Sequence, residues 1–162
     1  MSGGMRIMVD TCVWVDNYCP DHVGCKAARS FFDQALSLEA ELLYAVHACK
    51  DVLYVLEHEF KRAAKRELGS IDESQARAAR SAAWACMRNM CELATAVGAD
   101  GSDVWLAEKY RRIHSDFEDN LVLAACKRAN ANYLVTNDKS LIAHADVLAK
   151  TPRQMSELFK LP

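Results

Sequence analysis

Four aspartates in this chain of 162 residues each lie where a short apolar run gives way to a helical pattern. They are Asp10, Asp51, Asp119 and Asp138. Short apolar runs that alternate with helices indicate a parallel sheet, and the loops after the strands of such a sheet converge on one crevice. Carboxylates gathered in that crevice repel one another and resist ionisation unless a cation lies among them. The pattern therefore predicts a metal site.

An aspartate at the start of a helix also has a simpler role. Its carboxylate accepts hydrogen bonds from the first backbone N–H groups and lies at the positive end of the helix dipole. Asp10, Asp116 and Asp138 all precede helical segments, and we expect each of them to cap a helix. Asp51 lies within the first turn or two of its helix and has no obvious capping role. The chemical interpretation therefore depends on the acids as a set.

The elements that position these acids follow from the spacing of apolar residues. We predict strands over residues 6–10, 42–46 and 133–136 and a last short strand near 147–148. We predict helices over residues 11–18, 24–38, 48–68, 72–97, 102–113, 117–130 and 140–144, and after Thr151. Trp105 and Tyr110 are expected to be partly buried. No linker or repeat interrupts this order, so the pattern indicates one compact α/β domain.

The composition is that of a globular protein, with 51% hydrophobic and 26% charged residues. The apolar stretches are too short to span a membrane. Residues 1–4 lack the features of a signal peptide and are interpreted as a start segment or a remnant of cloning. The seven cysteines are an odd number and form no C-x-x-C pair. This disfavours a disulfide framework or a zinc ribbon and favours reduced thiols in the cytoplasm.

The formal net charge of −2 provides no overall positive field for nucleic acid. Three local basic clusters remain as candidates for such binding, although solvated helix faces are the favoured interpretation. They are residues 61–66, Arg111-Arg112 and Lys127-Arg128. The three tryptophans are interpreted as core or interface residues rather than a base-stacking platform. The alanine-rich face of residues 76–94 could pair with another chain, but packing against the sheet is favoured.

Two parts of the sequence resemble the PIN-domain family. Residues 8–16, MVDTCVWVD, are similar to that family's opening, in which a buried strand ends in an aspartate followed by Thr or Ser. Residues 116–125 and 131–138 resemble its C-terminal signature, in which an acid opens an apolar helix and a strand then ends in Thr-x-Asp. The resemblance covers residues 5–160. It implies a three-layer α/β/α domain over residues 5–162, with a central, mostly parallel sheet of four to five strands.

The resemblance also implies an activity. It suggests a metal-dependent endoribonuclease that hydrolyses RNA phosphodiester bonds, similar to the toxin components of bacterial toxin–antitoxin pairs. The expected cofactor is Mg²⁺ or Mn²⁺, which prefers oxygen ligands and retains several waters. One such ion lowers the pKa of a bound water, and a second stabilises the leaving oxygen. The expected partners are RNA, an antitoxin protein and a second copy of the chain, with no membrane.

By matching motif positions, the resemblance assigns metal-binding roles to Asp10, Asp119 and Asp138. The family's second acid is normally a glutamate early in the helix after the second strand. Asp51 occupies that position here with a side chain one methylene shorter, whereas Glu57 and Glu59 match less well because they lie further along the helix.

Several neighbours are expected to support these acids. Thr136 matches a hydroxyl position that would hydrogen-bond the acidic cluster. Thr11, Asp116 and Glu118 are further supporting candidates, and His114 is a candidate for the rim of the site.

Two other functions stay open. A phosphotransfer or phosphatase domain also places an aspartate after its first strand, but the haloacid-dehalogenase-like pattern needs a second acid where this chain has Cys12. A non-catalytic RNA-binding or interaction module with a PIN-like fold is the other alternative, and Asp51 in place of glutamate favours it. The chain has neither G-x-x-x-x-G-K nor G-x-G-x-x-G, which disfavours the common nucleotide-binding folds.

Overall fold

A five-stranded parallel sheet runs through the computed structural model, which describes residues 4–161. Its strands are β1 (Arg6–Val9), β2 (Glu41–Ala45), β3 (Thr95–Val97), β4 (Tyr133–Val135) and β5 (Leu148–Lys150). They lie in the order β3–β2–β1–β4–β5, and all neighbouring strands are parallel. The strand order reverses beside β1, so a crevice is expected at the carboxyl ends of β1 and β4.

Helices cover both faces of this sheet. They are α1 (Thr11–Tyr18), α2 (Cys25–Ser37), α3 (Cys49–Leu68), α4 (Glu73–Leu93), α5 (Gly101–Tyr110), α6 (Phe117–Arg128), α7 (Lys139–His144) and α8 (Pro152–Leu158), and a short 3₁₀ helix (Val46–Ala48) precedes α3. None of the helices between residues 4 and 161 is both long and apolar enough to cross a membrane.

Successive side chains of the strands point to opposite faces of the sheet, so the core has two halves, one on each face. Ile7 and Val9 of β1 pack on one side with buried residues of α1 to α4 and α8. Met8 packs on the other side with buried residues of α5, α6 and α7. Successive side chains of a strand point to opposite faces, so both faces of this sheet are covered. The predicted three-layer α/β/α fold with a parallel sheet is confirmed.

The helix boundaries follow from local sequence. Asp72 and Thr151 form capping boxes at the starts of α4 and α8, and Pro152 occupies the first turn of α8. Gly69 ends α3 with φ of 77°, a backbone conformation that favours glycine. The predicted start segment, residues 1–4, lies outside the described residues except for Gly4.

Two local predictions are wrong. The helix predicted to reach residue 97 ends at Leu93, and Thr95–Val97 instead pairs with β2 as a separate strand. Trp105 was expected to be partly buried but is 63% exposed, because α5 packs through Asp103, Ala107 and Tyr110.

The alanine-rich face of α4 is buried. Ala83, Met87 and Met90 belong to the core on that side of the sheet, and α4 packs along α3. The favoured interpretation of this face as a packing surface is therefore confirmed. Trp84 lies away from that face and is 54% exposed.

Candidate active site

The four aspartates line one cavity of about 550 Å³. Asp10 follows β1 and Asp138 comes three residues after the end of β4, so both lie at the carboxyl ends of central strands. Asp51 lies in the first turn of α3, and Asp119 lies in the first turn of α6. The fold thus brings together acids from distant parts of the sequence, as the strand pattern predicts.

Asp10 is held in place through both of its carboxylate oxygens. Oδ1 accepts the backbone N–H of Thr11 at 2.8 Å, and Oδ2 accepts the hydroxyl of Thr136 at 2.7 Å. Cys12 Sγ also lies 3.4 Å from Oδ2. Burial raises the pKa of Asp10, although the hydrogen bonds from Thr136 and Thr11 oppose this effect.

Thr136 joins Asp10 to Asp138. Its Oγ1 donates to Asp10 and accepts the backbone N–H of Asp138 at 3.0 Å. Asp138 in turn caps α7, because its Oδ1 accepts the N–H of Leu141 at 2.9 Å. One buried hydroxyl therefore sets the relative positions of two acids that lie on neighbouring strand ends.

Asp119 is positioned by Asp116, the residue that caps α6. Oδ1 of Asp116 accepts the N–H groups of Glu118 at 2.9 Å and Asp119 at 3.1 Å. Burial raises the pKa of Asp119 to about 6, and the charges of Asp10 and Asp116 contribute to the increase. His114 opposes that increase, since its Nε2 lies 3.5 Å from Asp119 Oδ2. The structure therefore places His114 directly against one of the acids.

The side of the cavity near Asp51 also contains a histidine. Lys50 Nζ lies 3.6 Å from Asp51 Oδ1. His47 lines the same cavity, and burial lowers its pKa despite the nearby charges of Glu118 and Asp51. Neither ring nitrogen of His47 has a hydrogen-bond partner within residues 4–161. The sequence pattern did not single out His47 as a site residue.

The sequence pattern also did not assign a role to three other residues that line the cavity, Asp16, His22 and Asn137. Asn137 Nδ2 donates to Asp16 Oδ2 at 2.8 Å, and His22 Nδ1 lies 2.8 Å from Asp16 Oδ1. His22 Nε2 lies 3.3 Å from Glu59 Oε2. Burial lowers the pKa of His22, but the hydrogen bonds to Asp16 and Glu59 outweigh that effect and raise it overall. The only sequence feature that could have pointed to this group is Asp16, a single acidic residue after the apolar run of residues 12–15.

The cavity suits a hard cation, although its acids do not form a closed ligand cage. Within the described residues, no group of three or more histidine, cysteine or acidic side chains is arranged to hold a metal ion. Mg²⁺ usually binds only one or two carboxylates and keeps several waters, so it needs no such cage. A cation would also relieve the repulsion that helps to raise the pKa values of Asp10 and Asp119. The donor set therefore fits Mg²⁺ or Mn²⁺.

Two comparisons find known proteins to which the chain is similar. The model of a family described as the PIN domain matches residues 6–140. Among solved structures, the chain is similar to VapC20 of Mycobacterium tuberculosis, described as a toxin that cleaves the sarcin–ricin loop. The TM-score is 0.61 at 14% identity, over 88% of this chain and 97% of that chain. This likeness shows the fold. No curated protein sequence matches the chain.

Proposed function

The chain belongs to the PIN domain family, and on that basis we propose that it is a metal-dependent endoribonuclease that hydrolyses RNA phosphodiester bonds. The observation that carries this proposal is the single cavity lined by Asp10, Asp51, Asp119 and Asp138. Carboxylates of this kind bind the hard cations used in phosphodiester hydrolysis. We further propose that the protein acts as the toxin of a toxin–antitoxin pair.

We assign the metal-binding role to Asp10, Asp119 and Asp138, with Asp51 acting directly or through a water. A bound Mg²⁺ or Mn²⁺ supplies an activated water and neutralises charge on the phosphate. The chain's own contribution is to hold these carboxylates in position. Thr136 aligns Asp10 with Asp138, because its hydroxyl donates to the Asp10 carboxylate and accepts the backbone N–H of Asp138.

Three further residues have supporting roles in this proposal. The N–H of Thr11 holds the second oxygen of Asp10. Asp116 orders the first turn of α6 and so positions Asp119. Glu118 lines the cavity and adds negative charge near His47.

The toxin assignment is supported by the fold shared with a toxin that cleaves the sarcin–ricin loop. On this proposal the partners are RNA, an antitoxin protein and a second copy of the chain, and the site of action is the cytoplasm. The seven free thiols agree with such a reducing compartment.

The test is an RNA cleavage assay in Mg²⁺, in Mn²⁺ and in EDTA. We expect EDTA to abolish cleavage and Asp10→Asn, Asp119→Asn or Asp138→Asn to reduce it by about a hundredfold or more, because each removes a ligand charge. Asp33→Asn is the matched control, since Asp33 is exposed on α2, outside the cavity. Mg²⁺ should also raise the Tm of the wild type and of the control. Undiminished cleavage by Asp138→Asn would refute the proposed site.

Asp51 in place of glutamate favours a second candidate, a PIN domain that binds RNA without cleaving it. A folded protein that binds RNA but does not cut it with any divalent metal would support this alternative. A phosphotransfer function has less support, because both oxygens of Asp10 already accept hydrogen bonds. An acyl-phosphate trapped on Asp10 would reverse that judgement.

A further inference from the structure

The three basic clusters of the sequence differ in how many of their cations are paired with carboxylates. In residues 61–66, three of the four cations pair with carboxylates, as Lys61 does with Glu57. Arg128 is held by Asp100 at 2.8 Å and by Asp103 at 2.7 Å. These charges are already compensated, so they offer little attraction to an external anion.

Apart from Lys65 on α3, three cations of these clusters are uncompensated. Arg111, Arg112 and Lys127 are exposed, and none has a carboxylate within 4 Å in the part of the chain that the structure describes. Arg111 and Arg112 follow directly after α5. Together with Glu108 and Lys109 they line a shallow cavity of about 350 Å³. Glu108 pairs with Lys109 at 3.5 Å, so the two arginines make this segment a local source of positive charge on a chain whose net charge is negative.

Trp105 lies on the same helix with its side chain in solvent. The residue is 63% exposed, and Lys109 Nζ lies 5.2 Å from the centre of its ring. The indole lines a groove of about 430 Å³ between α5 and α6, together with Leu106, Ala124 and Lys127. An exposed aromatic ring beside cations is the arrangement that stacks nucleobases in proteins that bind single strands.

The chain connects these features to the acidic site through the turn after α5. Lys109 contacts the Trp105 ring and also lines the cavity that contains Arg111 and Arg112. Arg111 lies six residues after Trp105, about 9 Å further along the helix axis. The turn then reaches His114, whose ring contacts Asp119. A strand of nucleic acid that follows these residues would therefore end at the proposed catalytic acids.

We propose that Trp105, Lys109, Arg111, Arg112 and Lys127, here called the α5 surface, bind the single-stranded RNA segment that flanks the scissile bond. A base stacks on the indole of Trp105, and phosphates bind the uncompensated guanidinium groups of Arg111 and Arg112. This inference rests on the proposed ribonuclease function. A metal ion in the cavity attracts only the phosphate at the scissile bond, so the flanking RNA needs cations outside the cavity. In the two cavities beside α5 the cations outnumber the carboxylates.

The test measures binding separately from cleavage. A short fluorescein-labelled single-stranded RNA is titrated with the full chain in EDTA, and anisotropy gives Kd over a range of salt concentrations. We expect Trp105→Ala to weaken binding by roughly tenfold, because a stacking contact is lost. Arg111→Ala/Arg112→Ala should weaken it and make the salt slope shallower by about 1.4, since two phosphate contacts to a single strand are removed.

Matched variants control for charge and for loss of an exposed ring. Arg77→Ala/Arg80→Ala changes the net charge equally, but both arginines are paired with carboxylates on α3 or α4. Trp84→Ala removes another exposed tryptophan, 54% exposed, on α4. Both controls should bind RNA like the wild type. Equal losses in the controls, or unchanged Kd in the α5-surface variants, would overturn the inference.

Two further readouts separate this inference from the ribonuclease proposal. Asp10→Asn should bind the RNA at least as well as the wild type while losing cleavage. A wild type that binds the RNA through the α5 surface but does not cut it would reject only the nuclease. Light scattering after size exclusion reports the oligomeric state of Trp105→Ala. A change from dimer to monomer with unchanged RNA affinity would show that the α5 surface is a protein interface instead.

Discussion

The hydroxyl of Thr136 donates a 2.7 Å hydrogen bond to Oδ2 of Asp10, a residue 126 positions earlier in the chain. The two residues directly follow β4 and β1, which are neighbours in the sheet. The same hydroxyl accepts the backbone N–H of Asp138. Because the Thr136 side chain is buried and Asp10 is nearly so, this contact is shielded from competition by water.

Replacing that hydroxyl should affect both stability and cleavage. Thr136→Val keeps the side-chain shape but removes the donor to Asp10 and the acceptor for Asp138. We expect a loss of about 1–3 kcal/mol in the free energy of unfolding, measured with urea, and about a tenfold loss of cleavage. Thr136→Ser keeps the hydroxyl and should retain most of the activity. Equal activity in the Val and Ser variants would contradict this role.

Asp119 should make metal-free stability depend on pH. Burial and the neighbouring carboxylates raise its pKa to about 6 from an ordinary value of 3.8. A carboxyl group whose pKa is raised on folding stabilises the fold while it is protonated, and this stability is lost as the pH rises from about 4 through 6. In EDTA at pH 7.5, Asp119→Asn should therefore be more stable than the wild type, with a free energy of unfolding, measured with urea, that is higher by on the order of 1–2 kcal/mol.

The control for that measurement is the same comparison well below pH 3.8, where the wild-type carboxyl is protonated in both the folded and the unfolded state. There the advantage of Asp119→Asn should disappear. Adding Mg²⁺ at pH 7.5 should stabilise the wild type more than the variant, since the cation relieves repulsion that the amide no longer has. A pH-independent difference between the two proteins would refute this account.

Asp51 offers a substitution that adds function rather than removing it. Asp51→Glu lengthens the side chain by one methylene at the position where the family normally has a glutamate. We expect cleavage to reach half of its maximum at a Mg²⁺ concentration several-fold lower than in the wild type, because the carboxylate reaches further into the cavity. Asp51→Asn should shift that concentration upwards. A requirement for Mg²⁺ that is the same in all three proteins would show that residue 51 takes no part in metal binding.

Gly24 is required by its close approach to Asp16. A Cβ on residue 24 would lie 2.0 Å from Asp16 Oδ2, the oxygen that accepts from Asn137. Gly24→Ala must therefore displace the Asp16 carboxylate, and we expect destabilisation of about 1–3 kcal/mol and a Tm several degrees lower. Gly98→Ala is the matched control, because nothing lies within 4 Å of the added Cβ. Similar melting temperatures for both variants would contradict the predicted clash.

Much of the fold follows from local patterns. The strand ends before Asp10 and Asp138, the helix caps at Asp10, Asp116 and Asp138, and the stop at Gly69 all depend on a few adjacent residues. β3 could not be found in this way, because three residues after an alanine-rich helix carry almost no periodicity. Those residues become a strand only because β2 offers them a hydrogen-bonding edge.

The candidate site likewise has features that local sequence predicts and features that only packing determines. The sequence by itself determined which acids stand at strand ends and helix starts, since hydrophobic spacing and capping act over a few residues. Only the tertiary structure decided that Asp16, His22 and Glu59 form one network, and that Arg111 and Arg112 stay uncompensated while the cations of residues 61–66 are largely paired. Hydrogen bonds and ion pairs join side chains from different elements, so their partners are set by packing and not by distance along the chain.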